Sequence, residues 1–248
     1  LQAVRNRRYA FSRLKANGLL PAGTYTFDGT GRITQLPELL GGTDFTNGLV
    51  RLPDGTVQYF VDGTATAAGL VQSNAGDYYF IGPSKRALSN VTYTFPTKYT
   101  NGLLPAGTYT FDSTGKIAQL PELLAGDDYR NGLIRMPNGK VRYFRNGQPA
   151  FAGLLKSNAG DYYFIDPTGQ AVRNREYAFS AQYANGLLPA GTYIFDSTGK
   201  IAQLPELLGG ESLVNGLIRL PDNSVQYLKD GVPTFAGLVR SNVGDYYF

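Results

Sequence analysis

Short stretches that alternate aromatic and polar residues follow one another along the chain, and each ends at a turn signal. In residues 24–27 the two aromatic residues fall on one face of a strand and the two threonines on the other, because side chains alternate with a period of two. In residues 77–81, Tyr78 shares a face with Phe80, whereas Tyr79 begins an apolar stripe on the other. This second stretch predicts a strand that is either covered on both sides or displays Tyr79.

Two-residue turn signals separate several of these strands. A residue pair with glycine second favours a tight hairpin because both central positions take a positive φ. The pairs are Asp62-Gly63, Asn146-Gly147 and Asp230-Gly231. Residues 166–169 predict a type I turn followed by glycine, with Pro167 fixing φ at its second position, and residues 112–115 predict the same turn without proline.

One stretch and its two copies carry a helix signal. In residues 36–41, Pro37 suits a first helical position and Gly41 a helix end, so we predict at most one helical turn there. The residues that follow vary between copies: 42–45, 126–129 and 210–213. Variation on a constant frame predicts an exposed loop.

All of these features recur at a constant interval of 84 residues, which Asn17, Asn101 and Asn185 mark. The chain therefore divides into residues 1–84, 85–168 and 169–248, the last repeat being truncated. Repeats of this kind stack on their neighbours instead of closing separate cores. We predict an all-β fold, a β-solenoid of stacked β-hairpins built from three tandem repeats in a single array. Because both ends cut through a repeat, we expect the chain to be a window of a longer array.

The amino-acid composition excludes several classes of function. The 248 residues include no Cys, no His and no Trp, so thiol chemistry and the commonest general base and metal ligand are missing. The net charge of +4 is uneven, since the middle repeat has ten basic and six acidic residues and the third has six and seven. A nucleic-acid groove should recur in every repeat, so we expect no nucleic-acid partner. No apolar run is long enough to insert in a membrane.

A smaller motif recurs nine times: Gly-Leu, a spacer, Gly, and an aromatic triplet that ends in Phe, except in the copy that begins at Gly216, where Asn223 replaces the second Gly and Leu228 the Phe. Gly69-Leu70 leads to Tyr78-Tyr79-Phe80 in this way. The motif resembles the cell-wall-binding repeat superfamily, which includes choline-binding and glucan-binding proteins and large clostridial toxins. The resemblance covers three of the four hairpins in each repeat. It implies stacked hairpins that bind choline, glucans or host glycans in aromatic pockets between them.

The motif departs from that superfamily at one position. Leu occupies all nine places where the superfamily usually has Trp after the first Gly, as at Leu19, Leu49 and Leu70. Quaternary ammonium groups are held by cation–π attraction to aromatic faces, and Trp is the strongest partner. The fold expectation survives because Leu fills a core well, but the departure argues against choline.

The candidate binding residues are the paired tyrosines of one strand in each repeat. The apolar face of a sugar stacks on an exposed Tyr, and the hydroxyl offers a hydrogen bond. The alternative is that the rings bury themselves between hairpins, which we favour for the first member of each pair. The candidates are Tyr79, Tyr163 and Tyr247, followed by Tyr78, Tyr162 and Tyr246.

Repeated carboxylates have a structural explanation. Asp28, Asp112 and Asp196 sit at turns, where Asp hydrogen-bonds its own backbone. Glu38 and its copies Glu122 and Glu206 would occupy a first helical turn, where negative charge is favourable. A calcium site at residues 112–115 would lack the clustered ligands of an EF-hand loop. We therefore expect no catalytic residues, no metal and no cofactor.

Two functions remain open from the sequence. The first is a non-catalytic extracellular array, secreted or attached to a cell surface, that acts as a structural or adhesive stalk with neighbouring repeats as its partners. The second is a glycan-binding module that tethers its parent protein to a cell-wall or host polysaccharide. Equal repeat lengths and the missing Trp favour the stalk. Nine weak sites that gain from avidity favour binding.

Overall fold

The computed structural model describes residues 2–248, so residue 1 of the first repeat lies outside it. The chain divides into two compact units, with the division between Leu120 and Pro121. Every strand pair in both units is antiparallel, which confirms the all-β prediction. The solenoid arrangement and the single array over 1–248 stay predictions.

Residues 2–120 of the first unit form ten strands in four sheets. These are β1 (Arg7–Phe11), β2 (Gly23–Phe27), β3 (Glu38–Gly42), β4 (Gly48–Arg51), β5 (Val57–Val61), β6 (Thr64–Thr66), β7 (Gly69–Gln72), β8 (Tyr78–Ile81), β9 (Val91–Phe95) and β10 (Gly107–Phe111). The sheets are β1-β2, β3-β4-β5-β6, β7-β8 and β9-β10. A helical turn, α1 (Arg13–Ala16), joins β1 to β2, and a 3₁₀ turn (Thr97–Tyr99) lies in the equivalent β9–β10 connection.

The second unit contains fourteen strands in five sheets. These are β11 (Glu122–Asp128), β12 (Asn131–Arg135), β13 (Val141–Arg145), β14 (Gln148–Pro149), β15 (Gly153–Lys156), β16 (Tyr162–Ile165), β17 (Arg175–Phe179), β18 (Gly191–Phe195), β19 (Glu206–Ser212), β20 (Asn215–Arg219), β21 (Val225–Lys229), β22 (Val232–Pro233), β23 (Leu238–Arg240) and β24 (Asp245–Tyr247). The sheets are β11-β12-β13-β14, β15-β16, β17-β18, β19-β20-β21-β22 and β23-β24. A 3₁₀ turn (Ala181–Tyr183) lies between β17 and β18.

The hairpin turns form as the sequence predicts. Asp62 and Gly63 have φ of 47° and 70°, which is the left-handed backbone of a type I′ turn. Its copies, Asn146-Gly147 and Asp230-Gly231, also have positive φ at both positions. At the turn that contains Pro167, the backbone N–H of Gly169 donates to the carbonyl of Asp166 at 2.9 Å. The turns therefore set the register of the adjacent strands.

The prediction of a helical turn at residues 36–41 is wrong. Glu38–Gly42 is strand β3, which pairs with β4, and both copies of this segment are strands as well. A short apolar run cannot separate strand from helix by period alone, and here pairing with a distant strand decides. The loop predicted after this segment is wrong in the other two copies, where residues 126–128 and 210–212 belong to β11 and β19. After β3, residues 43 and 44 are exposed and Phe45 is half-buried.

A β-bulge in β3 links this sheet to the next hairpin. The register between β3 and β4 shifts between Leu39 and Gly41, which leaves the backbone of Leu40 outside the ladder. The carbonyl of Leu40 instead accepts from the N–H of Asn74 at 2.8 Å, and Leu124 and Leu208 bind Asn158 and Asn242 in the same way. The bulge thus joins a four-stranded sheet to the two-stranded sheet that follows it.

The two faces of β8 pack in separate cores. Tyr79 and Ile81 belong to a cluster with Leu49 and Val57, two residues of the four-stranded sheet. Phe80, on the opposite face, stacks on Phe95 of the next hairpin. The strand is therefore covered on both sides, which is one of the two arrangements that its pattern allowed. None of the helices in residues 2–248 is long and apolar enough to cross a membrane.

Candidate functional site

The structure buries two of the tyrosines proposed as glycan platforms. Tyr79 and Tyr163 are 0% exposed. Burial raises the pKa of both hydroxyls above their usual value. An arginine donates to each hydroxyl, Arg135 Nη2 to Tyr163 Oη at 3.3 Å and its counterpart to Tyr79 at 3.5 Å. Both rings are covered in the structure, which is the buried one of the two arrangements that the sequence left open.

The other four candidates have different environments. Tyr247 is 76% exposed and contacts only one aromatic ring among the described residues, that of Phe235, whose centroid is 6.3 Å away. Tyr78, Tyr162 and Tyr246 are half-buried. Tyr162 packs at the edge of the core that contains Phe164, so part of its ring remains accessible. A glycan contact at these six tyrosines stays a prediction.

A stack of aromatic rings joins consecutive hairpins in the first unit. The Phe80 ring lies parallel to Phe95, with centroids 5.2 Å apart, and Phe95 lies parallel to Tyr109 at 4.9 Å. The Tyr109 hydroxyl donates to the carbonyl of Pro105 at 2.9 Å. The three stacked rings are buried and form a rigid floor.

Partly exposed rings cover this floor. Tyr93 is 36% exposed and tilts against Phe80, with centroids 5.2 Å apart. Tyr99, at the end of the 3₁₀ turn, meets Phe80 edge-on at 5.9 Å. Lys98 places its ammonium 4.8 Å from the centre of the Tyr99 ring. We call Tyr93, Tyr99 and Lys98 on their floor the first aromatic cluster.

The second unit repeats this arrangement at the matching positions of the next repeat. Phe164, Phe179 and Tyr193 form the floor, with centroids 5.1 Å and 5.0 Å apart. Tyr177 lies 4.8 Å from Phe164, and Tyr183 ends the 3₁₀ turn between β17 and β18. These two residues occupy the places of Tyr93 and Tyr99.

An additional ring and two cations extend this second copy. Phe151 lies 5.2 Å from Tyr183 and 6.4 Å from Phe164, and both Phe151 and Tyr183 are more than one-third exposed. Lys156 lies over Tyr162, and Arg175 lies over Tyr177. We call Phe151, Tyr162, Tyr177, Tyr183, Lys156 and Arg175 on their floor the second aromatic cluster.

The 3₁₀ turns that carry Tyr99 and Tyr183 pack closely against the preceding hairpin. Gly153 has φ of +68°, and a Cβ there would lie 2.5 Å from the carbonyl oxygen of Tyr183. Gly69 stands in the same relation to Tyr99, at 2.7 Å. Only glycine allows the 3₁₀ turn to approach the preceding hairpin so closely.

An asparagine side chain also links each of these turns to the preceding hairpin. Asn185 Nδ2 donates to the carbonyls of Ala152 and Leu154 at 2.8 and 2.7 Å. Asn101 donates to the two equivalent carbonyls, both at 2.7 Å. These side chains bind one hairpin to the next directly beside the exposed rings.

Sequence reasoning missed Tyr99, Tyr183 and Phe151. A signal was present, since Tyr99 and Tyr183 occupy the same position of successive repeats and each precedes the repeated Asn-Gly by two positions. Lys15 occupies this place in the first repeat. The tyrosines lie outside the aromatic triplets, so the strand pattern gave them no role.

The repeated carboxylates serve the backbone and neighbouring strands. Asp28 Oδ1 accepts from the hydroxyl and the N–H of Thr30 at 2.7 and 2.8 Å, and its copies make the same bonds. The Thr30 hydroxyl, with the N–H of Arg32, lowers the pKa of Asp28. Glu206 binds Arg219 of the neighbouring strand at 2.6 Å, and Glu38 and Glu122 bind the equivalent arginines, Arg51 and Arg135. Within residues 2–248 no group of acidic residues could hold a metal ion.

No protein-family profile and no curated protein matches this sequence. Solved structures with some similarity include the modular autolysin LytC from Streptococcus pneumoniae, with a TM-score of 0.31 and 12% identity over 99% of this chain. The chain spans 47% of that autolysin.

Two other solved structures show similarity at the same low level. Choline binding protein F from Streptococcus pneumoniae has a TM-score of 0.27 and 16% identity over 83% of this chain and 78% of its own. Truncated alternansucrase from Leuconostoc mesenteroides has a TM-score of 0.23 and 16% identity over 63% of this chain and 10% of its own. TM-scores below 0.5 place the chain in no family.

Proposed function

We propose that the chain is a non-catalytic, extracellular carbohydrate-binding repeat protein that attaches its parent molecule to a cell-wall or cell-surface polysaccharide. The observation that supports this most is the recurrence of the aromatic cluster, with partly exposed Tyr93 and Tyr99 in one unit and Tyr177 and Tyr183 in the other. Exposed aromatic rings on a rigid floor suit the apolar faces of sugar rings.

Recurrence suits a polymeric ligand. Each cluster offers two or three ring edges and a few hydrogen-bonding groups, so a single cluster binds weakly. A polysaccharide that reaches two clusters on one chain gains effective concentration, which raises avidity by about 10²–10⁴ over one site. Weak sites that recur on one chain therefore suit attachment to a polymer.

Retention on polysaccharide tests the proposal. The intact chain is passed over insoluble glucans, chitin and bacterial cell walls, and a soluble glycan array is probed in parallel. We expect retention that falls at least tenfold when Phe151 and Tyr183 are both changed to Ser. The matched control is Ile194→Ser, because Ile194 is 56% exposed and lies on the opposite face of its hairpin. No retention, or equal loss in the control, contradicts carbohydrate binding.

A structural or adhesive stalk is the second candidate. Its support is the pair of asparagine clamps, since Asn101 and Asn185 bind the preceding hairpin through the same two carbonyl positions. Identical junctions would give every repeat the same orientation to the one before it. Electron micrographs of three and six tandem repeats should then show straight rods whose length doubles, together with no retention on polysaccharide.

A further inference from the structure

Each aromatic cluster holds its own cations against its exposed rings. Lys98 Nζ lies 4.8 Å from the centre of Tyr99. In the second cluster Lys156 Nζ and the Arg175 guanidinium carbon each lie 5.3 Å from a ring centre, over Tyr162 and Tyr177. These distances fall within the range of cation–π attraction. The faces that could accept a cationic ligand therefore already carry a protein cation.

The acidic residues that adjoin Tyr78, Tyr162 and Arg175 in the sequence take part in other contacts. Asp161, which precedes Tyr162, binds Lys200 at 2.7 Å. In the first unit Asp77 binds Lys116 at 2.6 Å. Glu176 follows Arg175 but points to the other face of the strand, where it pairs with Ile194.

The three cluster cations consequently keep their charge for a ligand. Within the part of the chain that the structure describes, neither Lys98, Lys156 nor Arg175 forms an ion pair with a carboxylate. Each holds its charge beside a partly exposed ring. A sugar stacked on such a ring would place its ring substituents next to an ammonium or guanidinium group.

We propose that the aromatic clusters select polysaccharides with anionic substituents, whether carboxylate, phosphate or sulfate, and disfavour those with ammonium groups. This inference rests on the carbohydrate binding proposed above. The rings supply contact with the sugar, and the cations supply charge complementarity, which sets specificity more than affinity. The preference is opposite in sign to that of a site that binds quaternary ammonium groups.

The test uses one glucan backbone in three charge states: dextran, dextran sulfate and diethylaminoethyl-dextran. Binding of the intact chain to each polymer is measured by surface plasmon resonance at about 0.02 M salt, where charges are weakly screened, and at about 0.5 M salt, where they are strongly screened. We expect the anionic polymer to bind best and the cationic one worst, with the difference shrinking at high salt. Carboxymethyl-dextran and a polyglycerol phosphate then distinguish carboxylate and phosphate from sulfate.

Charge-matched variants separate the clusters from the overall positive charge. Lys156→Gln with Arg175→Gln removes two cations from the second cluster, and Lys229→Gln with Arg8→Gln removes two exposed cations elsewhere. We expect the first pair to weaken binding to dextran sulfate by about three- to tenfold, as two accessible ion pairs should, and the second pair to weaken it clearly less. Lys156→Arg with Arg175→Lys should restore the parent value.

Each outcome has one meaning. Equal losses in the two pairs, or affinity that is the same for all three polymers, overturns the anionic preference. If neutral dextran binds and Tyr183→Ser abolishes that binding while the charge variants change nothing, carbohydrate binding stands and only the preference falls. If neither the neutral nor any charged polysaccharide binds, both proposals fall.

Discussion

Changing Asn185 to Asp should reveal how strongly one hairpin is held to the next. The substitution keeps a residue that tolerates the left-handed backbone, here φ 52°. It removes both hydrogen bonds that Nδ2 donates to the carbonyls of Ala152 and Leu154. It also places a carboxylate oxygen against one or both of those carbonyls at neutral pH.

The expected loss of folding stability follows from the two missing hydrogen bonds. Each neutral hydrogen bond contributes about 1 kcal/mol net, so the missing donors cost about 2 kcal/mol. Repulsion between the carboxylate and the carbonyls should add about 1 kcal/mol. The added loss should disappear as the pH falls through the pKa of the new carboxyl, because a protonated carboxyl can donate one bond.

The control is Asn17→Asp. Asn17 stands in the same local sequence and has φ 53°, but in the described part of the chain its side chain donates no hydrogen bond. The two variants are compared by urea denaturation, and hydrogen exchange of the amides in β15 and the 181–185 turn locates the change. If the two variants differ by less than about 0.5 kcal/mol, the smallest net value of a single bond, the asparagine does not clamp the hairpins.

Three further predictions concern glycine, tyrosine and glutamate. Gly153→Ala should destabilise the protein by about 2 kcal/mol more than Gly160→Ala in a thermal melt of each, because both glycines have positive φ but only the first would place a Cβ against a carbonyl. Burial raises the pKa of Tyr25 from 10.0 to about 12, so its contribution to stability is complete below pH 10 and is lost as the pH rises through about 12. Tyr25→Phe should therefore lessen the alkaline loss of stability, measured by thermal melts at several pH values. An unchanged pH profile would argue against this role of Tyr25. Changing all three repeated glutamates to Gln should leave polysaccharide retention intact and cost less than about 3 kcal/mol, since each exposed ion pair contributes at most about 1 kcal/mol.

Local chemistry made part of the fold predictable. The Asp62-Gly63 pair requires positive φ at both positions, so its turn could be placed without knowledge of the strands it joins. The alternation in residues 77–81 placed Tyr79 and Phe80 on opposite faces of one strand, and the structure packs the two rings in different clusters. Both features depend on residues that are adjacent in the chain.

Features set by distant pairing could not be predicted in this way. Residues 36–41 are too few for their period to separate a strand from a helical turn, and their pairing with β4 decides the matter. Tyr79 is buried because Leu49 and Val57 of another sheet cover its ring. Which rings of each cluster are exposed depends on where the turn that carries Tyr99 or Tyr183 packs. The close approach of that turn to Gly69 or Gly153 can be seen only in the three-dimensional structure.

The asparagine clamps also bear on how the chain folds. Asn101 reaches carbonyls 31 and 33 residues earlier, and Asn185 spans the same separations. Short loops cost little entropy to close and favour rapid folding. The hairpins β7-β8 and β15-β16 can therefore be joined to the next hairpin once about thirty more residues have been synthesised, so these parts of the chain can fold progressively during synthesis.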